Sequence, residues 1–127
     1  MGRWLALAGL SGLVAVAVGA FGAHLLAPRI GATGMSYLTT GTGYQLFHSA
    51  ALLAVAALMR EPAGRSPALE LAAWCFVVGI VLFCGSLYLL ALTGATAVVW
   101  LTPIGGVAFM IGWAALARHG LQLWRAR

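Results

Sequence analysis

The chain has 127 residues, 63% of them apolar and 17 of them glycine, and only nine charged side chains, seven Arg and two Glu, for a net charge of +5. A soluble domain normally carries about a quarter charged residues, so 7% excludes a water-soluble monomer, whose surface nothing could cover. The absence of any Lys, Asp or Asn further excludes a P-loop or Schiff-base lysine, an aspartic dyad, an EF-hand and a Ser-His-Asp triad.

An integral membrane protein of one domain remains. At roughly 20 apolar residues per crossing, the length accommodates four transmembrane helices and little else. No basic face is left over once these are drawn, so the positive charge is read as membrane topology and attraction to anionic headgroups, not as nucleic-acid binding.

In chain order, Trp4 to Leu26 is apolar apart from Ser11 and His24. Its start has the outline of a signal peptide, with small residues near Ala20. The apolar run continues through Leu26, however, and predicts a first transmembrane helix over 4–26. On this helix Ser11, Ala15, Gly19 and Ala23 recur every four residues, a small-residue row that suits close packing within the chain or self-association. Residues 27–36 read as a loop, broken by Pro28, Gly31 and Gly34. A second helix is expected over 36–59, with polar outer turns at Thr39, Thr40, Thr42 and Gln45. The hydrophilic stretch Arg60 to Pro67 follows. Ser66 can cap a third helix over 67–92, with Pro67 in its first position and Glu70 in its first turn. Glu70 is expected to pair with Arg65 or Arg118. Cys75 and Cys84, about 13 Å apart along that helix and on different faces, cannot form a disulfide and read as small apolar fillers. After a turn at Thr93 to Ala97, the fourth helix has two possible starts. It begins near Ala97 and kinks at Pro103, or Thr102 caps it and Pro103 is its first residue, which gives 102–124.

Arg3, Arg60, Arg65, Arg118, Arg125 and Arg127 fall on one side of this arrangement and only Arg29 on the other. The positive-inside rule then puts both termini in the cytoplasm. Trp4, Trp74 and Trp124 would line the inner interface and Trp100 the outer one. The expected fold is all-α, a four-helix transmembrane bundle of up-down-up-down order over residues 1–127.

The hydrogen-bonding side chains within the spans gather towards the outer leaflet: His24, Tyr44, Gln45, His48, Ser86, Tyr88 and Thr102. The inner half is apolar apart from Ser11. Tyr44 and His48, four residues apart, share a helix face. Polar groups in hydrocarbon need partners, so these faces should turn into the bundle. Two readings follow. The cluster is an interhelical lock, or it is a headgroup-sized pocket in which Thr102-Pro103-Ile104-Gly105-Gly106 presents a helix N-terminus to a quinone carbonyl or a lipid phosphate. For Gly105 and Gly106 the plainer alternative is close helix approach. His24 and His48 alone are a weak basis for haem, and nothing completes a metal site around them. His119, among arginines, reads as solvated. Buried carboxylates for a proton path are lacking, and there is no internal repeat of the transporter kind.

Gly19-Ala-Phe-Gly-Ala-His24, Tyr44-Gln45 with His48, Leu82-Phe-Cys-Gly-Ser-Leu-Tyr88, Thr102-Pro-Ile-Gly-Gly106 and Gly112-Trp113 together resemble the transmembrane protein 256 family, whose bacterial members are grouped as domain of unknown function 423. The match covers nearly the whole chain; Cys84 stands where relatives often have Ser. The resemblance implies a small multi-pass protein of the bacterial inner membrane with mitochondrial relatives, and it implies no activity. The expected function is therefore that of a non-enzymatic accessory or scaffold protein, with no catalytic residue and no cofactor. Its partners would be membrane lipids, a second copy or a larger membrane complex. A binding protein for a quinone or lipid headgroup is the alternative, and a transporter or channel subunit has least support.

Overall fold

The structure, a computed structural model, describes residues 1–62 and 66–127. All regular structure among them is helical. Helix α1 (Gly2–Phe21) passes through a π-helical turn (Gly22–Leu26) into α2 (Ala27–Leu58). Helix α3 (Pro67–Gly79) passes through a second π-helical turn (Ile80–Cys84) into α4 (Gly85–Thr93), and a 3-10 turn (Thr96–Val98) leads into α5 (Leu101–Arg125).

Three continuous helical segments, Gly2–Leu58, Pro67–Thr93 and Thr96–Arg125, are long and apolar enough to cross a membrane. This corrects the expected four-helix, up-down-up-down bundle: the all-α class holds and the count of four does not. The reason lies in residues 27–36, where the expected loop is absent. Pro28 sits in the first turn of α2, directly after the π-helical turn, and the helix runs on across it. Gly34 is a buried helical residue, and only Gly31 departs from helical geometry, at φ 69° and ψ −176°. That backbone state is open to glycine and strained for other residues.

The first segment is not straight. Gln45 and Ser11 are 34 residues apart in sequence, about 50 Å along an unbroken α-helix, yet Gln45 Nε2 lies 3.0 Å from Ser11 O. Leu38 lies against Gly22 in the same way. The two arms on either side of Gly31 therefore run side by side. Arg3 pairs with Glu70, and Ser66 and Pro67 flank a groove with Arg118 and Gln122. The N-terminus, the start of α3 and the C-terminal turns of α5 thus share one end of the molecule. Arg29, Gly34, Ala91 and Thr96 mark the opposite end.

Ser66 caps α3 as expected, its Oγ accepting from Ala68 N at 3.2 Å. Gly94, with φ 65°, ends α4 in the left-handed conformation. Helix α5 begins at Leu101 with Pro103 in its first turn, close to the second of the two expected starts. Thr102 does not cap it, because its hydroxyl bonds to Ser86 instead. Glu70 is held by Arg3 at 2.8 Å and by Trp4 Nε1 at 3.4 Å, not by Arg118. Arg65, the other expected partner, lies outside the described residues. Trp4 is not part of an interfacial belt. It is fully buried, edge-on to Trp74 at 5.0 Å and with its indole N–H towards Glu70 of α3. His119 is only 5% exposed rather than solvated, since it continues the Gly112 and Ala115 face of α5 that turns inward. Cys75 and Cys84 are free.

The core is built from small residues and a few rings: Trp4, Phe76 and Phe109 packed among alanines. Glycines on one helix receive aromatic residues of another. Phe109 fills the space at Gly79, and Phe76 the space at Gly112. The closest approach is at Gly105, where a Cβ would stand 2.3 Å from Phe83 N. Phe83 belongs to the second π-helical turn, so main chain meets main chain there. Gly105→Ala is therefore expected to lower the thermal midpoint in detergent, by about 1–3 kcal/mol of overpacking. Gly19→Ala, where nothing lies within 4 Å, is expected to be neutral or slightly stabilising in the same measurement.

Candidate functional site: a buried polar network and a flanking groove

Leu38, Gly41, Gln45, His48, Ser49, Leu52 and Val55 are the buried face of α2, recurring every three or four residues. Helical periodicity therefore turns three polar side chains inward together. Gln45 is 4% exposed. Its Nε2 donates to Ser11 O at 3.0 Å and to Ser11 Oγ at 3.3 Å, while its Oε1 accepts from Tyr88 Oη at 2.5 Å. One amide thus ties α2 to both α1 and α4. Ser49 Oγ lies 2.6 Å from Gln45 O and 2.7 Å from Ser11 Oγ. A hydroxyl has a single proton and a carbonyl can only accept, so Ser49 donates to Gln45 O and the Ser11 hydroxyl donates to Ser49 Oγ. The Tyr88 ring reaches Gln45 across Gly41, where a Cβ would stand 2.6 Å from Tyr88 Cε1.

His48 forms a second centre. Its Nδ1 is 2.8 Å from Tyr44 O, and its Nε2 is 3.1 Å from Trp113 Nε1. A carbonyl can only accept and an indole N–H can only donate. The imidazole is therefore the neutral Nδ1–H tautomer, with both nitrogens engaged. Its ring stacks on Phe109 with centroids 3.6 Å apart, and Phe76 and Trp113 meet it edge-on. A third, smaller contact joins Ser86 Oγ to Thr102 Oγ1 at 2.6 Å, linking α4 to the start of α5.

The nine residues singled out from the sequence are thus divided. Gln45 and Tyr88 share one network, His48 sits in an aromatic cage beside Tyr44, and Ser86 pairs with Thr102. Gly105 is closed off against Phe83, whereas Gly106 borders open space. His24 is exposed on the first π-helical turn and meets none of the others. The levels differ as well. At about 1.5 Å per residue, Ser11 lies roughly 12 Å from Arg3 and roughly 22 Å from Leu26 along the first arm. The Ser11–Gln45–Ser49 bonds therefore reach into the half that polarity alone marks as apolar. Ser49 and Trp113 are the partners that the sequence reading missed. Ser49 follows Gln45 at helical spacing, and an indole N–H in an apolar span requires an acceptor; those were the available signals. No group of three His, Cys or acidic side chains that could hold a metal occurs among the described residues.

Between α2 and α5, beside His48, runs a groove of about 960 Å³ bordered by Tyr44, Phe47, His48, Phe83, Gly106 and Trp113. It is mostly apolar. Thr39 and Thr40 mark one end, and the Tyr44 ring tilts against Phe83 with centroids 4.5 Å apart.

Residues 18–106 match the family described as "Protein of unknown function (DUF423)". The chain belongs to this family. It is 45% identical to a UPF0382 membrane protein of Haemophilus influenzae, over 91% of this chain and 90% of that protein. It is 39% identical to the UPF0382 inner membrane protein YgdD of Escherichia coli K12, over 95% of this chain and 91% of that protein. A UPF0382 membrane protein of Staphylococcus epidermidis is 40% identical over 89% of this chain and 90% of its own length. No solved structure matches. This DUF423 protein is accordingly a membrane protein, and its apolar helical segments are of membrane-crossing length. The region matched to DUF423 includes Gln45, His48, Tyr88 and Thr102, while Ser11 and Trp113 lie outside it.

If Gln45 and Tyr88 act as a pair, Tyr88→Phe and Gln45→Leu should not be additive. A double-mutant cycle on detergent melting is expected to give a coupling of about 0.6–2 kcal/mol, the range for hydrogen bonds between membrane helices. Purely additive losses would mean that the two side chains do not interact.

Proposed function

We propose that this protein is a non-enzymatic accessory or scaffold protein of the bacterial inner membrane whose buried polar network is a structural lock. The observation that supports this reading most is the state of its polar atoms. Both ends of the Gln45 amide and both nitrogens of His48 are bonded within the chain, which leaves neither side chain to bind or act on a substrate. Such a role calls for a partner within the membrane, a second copy or another membrane protein, with lipids as the immediate neighbours.

A second reading, a binding protein for a quinone or lipid headgroup, has one observation in its favour. The groove between α2 and α5 has an apolar wall, and the Tyr44 phenol beside it makes no hydrogen bond to a described residue. Of the Thr102 to Gly106 helix end, only Pro103 and Gly106 border that groove. His48→Ala separates the two readings. As a lock residue, its loss is expected to lower the thermal midpoint in detergent, with no change in the lipid or quinone that copurifies, as measured by mass spectrometry. An unchanged midpoint together with lost copurifying ligand would favour the binding reading.

The arginine distribution supports an orientation with both termini in the cytoplasm. Arg3, Arg60, Arg118, Arg125 and Arg127 lie towards one end and Arg29 towards the other. Positive charge is retained on the cytoplasmic side. A C-terminal fluorescent-protein fusion should therefore fluoresce, while the matching alkaline phosphatase fusion should be inactive. The opposite pattern would reverse the orientation.

A further inference from the structure

At the arginine-rich end, a second groove of about 510 Å³ lies between α3 and α5, bordered by Ser66, Leu71, Ile111, Ala114, Arg118 and Gln122. Its chemistry changes along its length. Arg118, Gln122 and Ser66 form the rim, and Leu71, Ile111 and Ala114 form the wall beneath. On α5 the residues at 111, 114, 118 and 122 fall on one helical face, about 16 Å from first to last. The alanines at 114 and 115 leave space that larger side chains would fill.

Arg118 has no carboxylate within 4 Å among the described residues. The protein's acids are Glu61 and Glu70, and Glu70 is bonded to Arg3. The helix end beside Arg118 does not supply the complement, because Ser66 Oγ and Ser66 O accept from the first amides of α3. An unpaired guanidinium above an apolar trough is complementary to a molecule with an anionic head and a hydrocarbon tail. The membrane around the protein supplies such molecules.

We propose that this groove binds an anionic phospholipid, with its phosphate on Arg118 and one acyl chain along Leu71, Ile111 and Ala114. An anionic headgroup is favoured over a zwitterionic one because Arg60, Arg125 and Arg127 make this end positive, and a zwitterion would bring a further cation into it. The site lies at the opposite end of α5 from the Tyr44 groove, so it does not depend on how the polar network functions.

Native mass spectrometry of the full chain, released from nanodiscs of mixed phosphatidylglycerol and phosphatidylcholine, tests the assignment. The wild type should retain phosphatidylglycerol preferentially. Arg118→Gln should lower that retention about tenfold or more, as expected for loss of a charge-assisted hydrogen bond. Arg125→Gln removes the same charge from outside the groove and should cost no more than about fivefold. Ala114→Leu, which fills the trough without altering charge, should also lower retention while leaving the thermal midpoint unchanged. Equal retention of the two lipids, equal effects of Arg118→Gln and Arg125→Gln, or displacement of the lipid by millimolar inorganic phosphate would each overturn the proposal.

Discussion

A side-chain amide buried among apolar helices must find all of its hydrogen bonds within the protein, because a bilayer supplies none and each unsatisfied polar group there costs several kcal/mol. Gln45 is that amide, and the arrangement of the other helices can be read outward from it. Its nitrogen requires an acceptor on α1, which Ser11 provides, and its oxygen requires a donor, which Tyr88 provides from α4. Each bond contributes modestly on average in a membrane. Their joint effect is on specificity: a slip of one residue in any of the three helices would leave polar atoms facing hydrocarbon.

These bonds require space, and glycine supplies it. Tyr88 reaches Gln45 only because position 41 has no side chain, and α5 approaches the second π-helical turn only because position 105 has none. Apolar surface alone gives membrane helices little reason to prefer one neighbour over another. Close packing and hydrogen bonds decide the matter. At Gly41 the two operate at the same place, since the glycine that admits the Tyr88 ring also admits its hydroxyl.

The consequence for function is a division of labour within one small bundle. Gln45, Ser49, Tyr88 and Ser86 are bonded to other side chains of the interior, and His48 is fixed in a single tautomer by a carbonyl on one side and an indole on the other. The surfaces that remain open are of a different kind: an apolar groove beside Tyr44, and an amphiphilic groove beneath Arg118 at the basic end. Both suit amphiphilic or apolar molecules from the surrounding membrane better than water-soluble substrates.

The sequence by itself determined the class of molecule. With so few charges, no Lys or Asp and long apolar runs, only membrane-crossing helices satisfy both backbone and side chains, and the motifs around His24, Gln45, Tyr88 and Thr102 identified the DUF423 family. The cap at Ser66 and the break at Gly94 were legible too, because both depend on neighbours in sequence. Tertiary structure alone decided the rest. That residues 27–36 are helical on both sides of a single bent glycine, and not a loop between two helices, depends on how the arms pack. That Glu70 meets Arg3 and Trp4, and that Ser11 and Trp113 complete the networks, are facts about residues 34 to 67 positions apart in sequence. Helical periodicity states which side chains share a face. It does not state which face of which other helix they will meet, because that depends on the depth and rotation at which whole helices come to rest.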